Sequence, residues 1–123
     1  MSTKKTVVLG ATPDESRYAN LACRMLHNAG FEFVPVGIKR GEILGLPILD
    51  LRTKPEIPGV HTVTLYVGRA NQSEWYDYVF SLNPKRIIFN PGAENPEFKS
   101  LAQKRGIEAT EACNLVLIQT GQF

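Results

Sequence analysis

What most constrains the fold of this chain is an alternation of short apolar, β-branched runs with segments of helical spacing. Lys5-Thr6-Val7-Val8-Leu9-Gly10 has no polar alternation and ends in glycine, the pattern of a strand buried on both faces. Tyr18, Leu21, Ala22, Met25, Leu26 and Ala29 then recur at helical intervals, and Gly30 supplies the stop. Two starts are open for this helix. Thr12-Pro13-Asp14-Glu15 offers a capping box with proline at the first helical position; otherwise that stretch is loop and the helix begins near Ser16.

The alternation continues. Phe31 to Val36 reads as a second strand with Pro35 near its end, and Thr62 to Val67 as a third. Between Gly37 and His61, six glycines and prolines after Gly37 (Gly41, Gly45, Pro47, Pro55, Pro58 and Gly59) leave room for at most a short strand at Ile48-Leu49 and a stubby helix near Leu51 to Lys54. Asn71 and Glu74 have capping-box spacing ahead of Trp75, Tyr78, Val79 and Leu82, which share one helix face and read as core side chains, not as a stacking platform. Asn83-Pro84 ends that helix, and Arg86 to Asn90 is a fourth strand. Asn95-Pro96 opens a helix carrying Phe98, Leu101 and Ala102, Gly106 closes it, and Ile107 to Thr110 is a fifth strand. Leu115 to Ile118 is apolar but open as to type.

Strands alternating with helices in this way call for an α/β protein: an open parallel sheet of about five strands with helices on both faces. At 123 residues the expectation is one domain, residues 1–123. A net charge of +2 is too small for a nucleic acid partner, which usually demands a strongly basic face. Cys23 and Cys113 match neither zinc spacing nor a disulfide framework, so reduced thiols in a cytoplasm are expected. Met1 to Lys5 is polar with no signal-peptide pattern, and no apolar run approaches the roughly 18 residues of a membrane span.

Such a sheet binds ligands beyond the carboxyl ends of its strands, so the loops there carry the argument. Gly10-Ala11-Thr12-Pro13 follows strand one. Glycine permits a tight turn, and amides at a helix start can receive a phosphate; a tight turn with Thr12 as an ordinary cap is the alternative. A dinucleotide fingerprint would place two further glycines here and an acid after strand two. Neither is present: strand two runs into Gly37-Ile38-Lys39-Arg40-Gly41. Adjacent cations at that end suit a phosphate on a ribose, which NADP and coenzyme A both possess. Arg69, after strand three, can pair with a phosphate, and Pro91-Gly92 after strand four permits close backbone approach.

Taken together these landmarks resemble the stand-alone coenzyme A-binding proteins, which are similar to the N-terminal domain of the succinyl-coenzyme A synthetase α subunit and of acyl-coenzyme A synthetases. The resemblance runs from about Lys5 to Ile118. It rests on Gly10-Ala11-Thr12, on Arg17-Tyr18, on Val36-Gly37-Ile38-Lys39, on Gly41 to Pro47, on Arg69 and on Cys113. It implies a Rossmann-like fold that binds coenzyme A or an acyl derivative as a small-molecule nucleotide ligand. In that reading Gly10, Ala11 and Thr12 hold the pyrophosphate. Lys39, with Arg40 beside it, meets the 3′-phosphate or adenine end, while Arg69, Pro91 and Gly92 line the pantetheine path. The chain departs from relatives at Gly37-Ile38, where many have asparagine-proline, and at Asn90, where glutamine is common.

No catalytic constellation accompanies these residues. No metal-spaced cluster, Ser-His-Asp order or nucleophile elbow is present. His27 falls late in the first helix and His61 before strand three, the end of the sheet opposite the strand-end loops. Asp14, Glu15 and Glu94 near the mouth suit helix starts, and Cys113 is expected to be a buried, inert thiol. The expectation is a binding module acting as carrier or regulatory subunit, with a protein partner or a second copy open. The alternatives are an NADP-dependent reductase and a protein-interaction subunit with a vestigial nucleotide site.

Overall fold

In the computed structural model, which describes residues 4–123, the strands in chain order are β1 (Thr6–Leu9), β2 (Phe33–Gly37), β3 (Glu42–Ile43), β4 (Leu46–Pro47), β5 (Leu49–Asp50), β6 (Thr62–Leu65), β7 (Arg86–Phe89) and β8 (Glu108–Glu111). The helices are α1 (Tyr18–Asn28), α2 (Tyr76–Ser81), α3 (Pro96–Lys104) and α4 (Asn114–Gln119). Of the polar start Met1 to Lys5, residues 1–3 lie outside the described residues.

Six strands form one sheet in the order β5-β2-β1-β6-β7-β8, with every pair parallel. The fold is Rossmann-like α/β, as expected, but with a sixth strand, because Leu49-Asp50 pairs with Val36-Gly37 at the edge. The punctuated stretch also holds more structure than its composition suggested. β3 and β4 form a small hairpin whose turn, Leu44 (φ 51°) and Gly45 (φ 81°), takes positive φ at both central positions, the geometry that matches strand twist. Leu51–Thr53 is a single 3₁₀ turn capped by the Asp50 carboxylate, which accepts from Arg52 N at 3.0 Å.

Each face of the sheet is covered. Val7, Leu9, Val63, Leu65, Ile87 and Phe89 pack beneath Val79 of α2 and beneath Phe98 and Ala102 of α3. Val8 and Ile88 point the other way, against Ala19, Cys23 and Leu26 of α1, with Phe123 closing that layer. This second face is the more polar one. Thr6, Thr62 and Arg86 stand in register across three strands and are buried. Arg86 donates from Nε to Thr62 Oγ1 (3.1 Å) and from Nη1 to the Phe123 carbonyl oxygen (2.7 Å), with its guanidinium 4.5 Å from the Phe123 ring centre.

Two helices start later than their apparent caps. Of the two starts open for α1 the loop alternative holds: Thr12 to Glu15 is not helical and the helix begins at Tyr18, two residues past Ser16, because Asp14 and Ser16 spend their hydrogen bonds on a tight turn. Before α2 the Asn71–Glu74 capping box does not form. Two 3₁₀ turns, Arg69–Asn71 and Ser73–Trp75, occupy that stretch, and the α-helix starts only at Tyr76. The expected Asn95 cap is present, accepting from Phe98 N at 3.1 Å with Pro96 in the first turn. Leu115 to Ile118, open as to type, is helical within α4.

Phe98 is the centre of an aromatic group, its ring centre 4.2 Å from that of Tyr76, 5.5 Å from Phe80 and 5.6 Å from Phe89. Phe98→Ala should therefore cost about 3–5 kcal/mol of stability. In urea titration this should appear as a lower midpoint with an unchanged slope.

Candidate functional site

From β1 the chain moves outward through β2 to β5, then crosses back to β6 and proceeds through β7 to β8. Strand order thus reverses between β1 and β6, and the loops beyond their carboxyl ends must part there, leaving a crevice. Two adjoining cavities occupy it. The larger, about 650 Å³, lies on the β2 side and is lined among others by Thr12, Arg17, Lys39, Arg40, Gly68 and Trp75. The smaller, about 260 Å³, lies on the β7 side and is lined by Tyr18, Ala19, Tyr66, Pro91 and Gly92. Gly10, Thr12, Arg17 and Gly68 line both, so the two are halves of one cleft. A third cavity, about 910 Å³, is at the opposite end of the strands, between the Lys54 to His61 segment and Lys85, away from the strand-end loops.

The floor of the cleft depends on close backbone contact. Gly10 has φ +101°, and a Cβ there would sit 2.9 Å from the Tyr66 carbonyl carbon. At Gly37 a Cβ would come within 2.5 Å of the Ala11 oxygen. The amides of Gly10 and Ala11 both donate to Val36 O, at 2.8 and 3.1 Å. Those two amides, in the turn that the resemblance assigned to a pyrophosphate, are therefore spent on joining the turn to β2. The Thr12 amide, by contrast, makes no hydrogen bond among the described residues. Its hydroxyl accepts from Asp14 N at 3.2 Å and retains its own proton to donate.

The next residues form a tied loop. Asp14 accepts from the Ser16 hydroxyl (2.6 Å) and amide (3.0 Å), and these bonds hold its carboxyl below the usual carboxylate range. Asn20, buried on α1, donates to Thr12 O at 2.9 Å and accepts from Arg24 Nε at 2.8 Å. Arg24 also reaches Glu15 O at 3.1 Å. Tyr18 and Ala19, the first residues of α1, face the smaller cavity, so the positive end of that helix is turned toward the cleft. Tyr18 itself is 71% exposed.

The charge balance of the larger cavity is uneven. Arg17, Lys39 and Arg40 line it, and none of the three forms a salt bridge or a side-chain hydrogen bond among the described residues. Two acids line it as well: Asp14, which is committed to Ser16, and Glu74, exposed in the second 3₁₀ turn before α2. Arg69, also expected at this site, is exposed in the 3₁₀ turn after β6 and lines neither half of the cleft.

Three residues position the site in a way the sequence did not show, two of them unremarked and the third, Asn90, noted only as a departure from relatives. Asn20 is one. Gln72, only 1% exposed, donates from Nε2 to Val67 O and to Ala93 O, both at 2.8 Å, and accepts from Asn95 Nδ2 at 2.9 Å. It thereby ties the loop after β6 to the loop after β7, and its commitment to both carbonyls accompanies the loss of the expected helix start. Asn90 is the third: it donates to Thr64 Oγ1 (2.7 Å) and Leu65 O (2.9 Å) and accepts from Asn114 N (2.8 Å). Tyr78 is buried as read, but Trp75 is only half-buried and also lines the larger cavity. Cys23 is fully buried, and burial pushes its thiol up to about 12. Cys113, expected to be buried, is half-buried at the start of α4.

Residues 4–119 match the family described as the CoA binding domain. The chain belongs to that family. No curated protein matches it by sequence. Among solved structures, the chain is similar to one called an uncharacterized protein, with 49% identity over 100% of both chains and a TM-score of 0.96. It also shares its fold with cell-free ID.343 from Thermus thermophilus (24% identity, 98% of this chain and 91% of that one, TM-score 0.84). The dinucleotide-forming acetyl-coenzyme A synthetase 1 of Ca. Korarchaeum cryptofilum, solved with phosphate and ADP, carries the same fold in part. Its likeness covers 89% of this chain but 25% of the synthetase, at 18% identity and a TM-score of 0.68. No helix among the described residues is long and apolar enough to cross a membrane, and no group of histidine, cysteine and acids there suits a metal ion.

His61 lies at the end of the strands opposite the cleft, as expected. Burial, then the charges of Arg86, Lys4 and Lys85, hold its imidazole below the ordinary value of 6.5. The unfolded chain takes up that proton more readily than the folded one, so this contribution is present above the unfolded value and is lost as pH falls through the folded value. His61→Gln should remove it. Urea unfolding at about pH 7.5 and about pH 5.5 should show a smaller loss of stability for the variant than for wild type.

Proposed function

We propose that residues 1–123 act as a single binding module for coenzyme A or an acyl-coenzyme A, holding it extended across the strand ends without chemistry of their own. The observation that carries this is the set of three unpaired cations, Arg17, Lys39 and Arg40, in one cleft of a CoA binding domain. Three cations against the two acids Asp14 and Glu74 leave this cavity net positive, so the site favours a ligand with several phosphates.

Assignment of the ligand's parts follows from the gradient of charge along the cleft. Lys39 and Arg40, beyond β2, take the 3′-phosphate and adenine end. The pyrophosphate lies at the divide, against the Thr12 amide and hydroxyl, the Arg17 guanidinium and the start of α1. Gly10 and Ala11 shape the turn beneath it. The neutral pantetheine arm continues beside Tyr18, Pro91 and Gly92. From β2 to β7 is three strand spacings, about 14 Å, which suits an extended ligand better than a mononucleotide. Arg69 serves at the rim, where an exposed side chain steers an anion toward the mouth. The module works as a carrier or regulatory subunit in the cytoplasm, delivering its ligand to a protein partner.

Calorimetry with coenzyme A, dephospho-coenzyme A and NADP tests this reading. The expected outcome is saturable binding of coenzyme A, one per chain, weaker for the form lacking the 3′-phosphate. Lys39→Ala should lose roughly 1.5–3 kcal/mol of binding toward coenzyme A, as for a hydrogen bond to a charged group, and little toward dephospho-coenzyme A. Binding of NADP alone would make the protein a reductase candidate. Silence from all three ligands would leave an interaction subunit.

A further inference from the structure

We infer that Trp75 is the platform on which the ligand's base stacks, so that an aromatic face holds the base while the cations beside it hold phosphate. This rests on the reading of the cleft as a coenzyme A site and adds the residue that recognises the base.

A nucleotide ligand carries a flat, weakly polar base as well as its phosphates, and cations secure only the charged part. The larger cavity supplies a second kind of surface. Ile38, Val67 and Trp75 line it beside Lys39 and Arg40, and Trp75 is the one aromatic side chain among the described residues that do so. It is half-buried: part of it packs against the core layer that holds Val79 and Phe98, and the rest is open to the cavity. Ile38, just beyond β2, is 57% exposed. Apolar surface left open beside unpaired cations is surface that water covers poorly, and a base with a π face on either side covers it well.

Local backbone puts the indole there. Spacing alone places Trp75 on the core face with Tyr78, Val79 and Leu82, but α2 starts only at Tyr76, and Trp75 precedes it at φ −107° and ψ 0°. The Trp75 amide donates to Gln72 O at 2.8 Å. Gln72 is itself fixed by its bonds to Val67 O and Ala93 O. On the other side, the Tyr76 ring lies 4.2 Å from that of Phe98, centre to centre. The backbone of Trp75 is therefore held from both directions, so little must be ordered when a base arrives. Such a platform reads a flat ring and not the ring's edge, because every base has a π face.

Because Trp75 is the chain's one tryptophan, its emission reports on this contact alone. Excitation at the red edge of indole absorption, where adenine does not absorb, avoids interference from the ligand. Wild type saturated with coenzyme A, or with adenosine 3′,5′-bisphosphate, should lose emission; the same concentration of 4′-phosphopantetheine, which lacks the base, should leave it unchanged. In calorimetry Trp75→Leu should bind coenzyme A about tenfold more weakly than wild type, and Trp75→Phe, which keeps a ring, within about threefold. The emission measurement needs no variant, so a poorly folded Trp75→Leu does not remove the test. Unchanged emission at calorimetric saturation with coenzyme A, equal quenching by 4′-phosphopantetheine, or a folded Trp75→Leu that binds as well as Trp75→Phe overturns the inference and leaves the coenzyme A reading standing. Failure of wild type to bind coenzyme A itself overturns both.

Discussion

The carbonyl of Val36 accepts two amides, those of Gly10 and Ala11, and much of the molecule is arranged around that contact. It seats the turn after β1 directly on the end of β2, with the backbones so close that a side chain at Gly37 would overlap Ala11 O. With this turn drawn toward β2, and β6 held on the other side of β1 by Tyr66 N donating to Leu9 O at 2.8 Å, the crevice at the reversal of strand order stays open. A parallel sheet always has such a point. Here the steric demand of two glycines, Gly10 against Tyr66 and Gly37 against Ala11, sets its shape.

Around that floor, buried amide side chains do work that backbone hydrogen bonds cannot. Loops leave carbonyls unpaired, and burying them unpaired is expensive. Asn20 meets the carbonyl of Thr12, Gln72 meets those of Val67 and Ala93, and Asn90 meets that of Leu65. Each tie connects a cleft loop to a different element: the first loop to α1, the β6 loop to the β7 loop, and β7 to β6 and α4. The cleft walls are thus pinned from within, while the cations Arg17, Lys39 and Arg40 that line the cleft are left without partners. Rigid loops and unpaired charge together favour binding, because little must be ordered when a ligand enters.

Much of the fold was legible in the chain. Apolar β-branched runs marked β1, β2, β6 and β7, since a strand covered on both faces needs no polar alternation. Stops at Gly30, Asn83-Pro84 and Gly106, and the cap at Asn95, were read from local chemistry and stand in the structure. What escaped was decided elsewhere. The hairpin β3–β4 hides in a glycine- and proline-rich stretch, since pairs of two residues leave no periodicity to detect. α2 begins five residues after its apparent Asn71 cap, where a buried Gln72 holds the backbone in 3₁₀ turns.

By itself the sequence determined the class of fold, the strands that cross its centre, and the placement of cations at the end of β2, because these follow from local pattern and from loop position in a parallel sheet. Only the tertiary structure decided which of those groups are left open to the cleft. Gly10 and Ala11 turn their amides to Val36, Thr12 keeps its amide free, Arg69 stays at the rim, and Trp75 shows one side to the cleft. The physical reason is that hydrogen-bond donors are shared among partners distant in sequence, so which donor is left over is settled only when all the others have been placed.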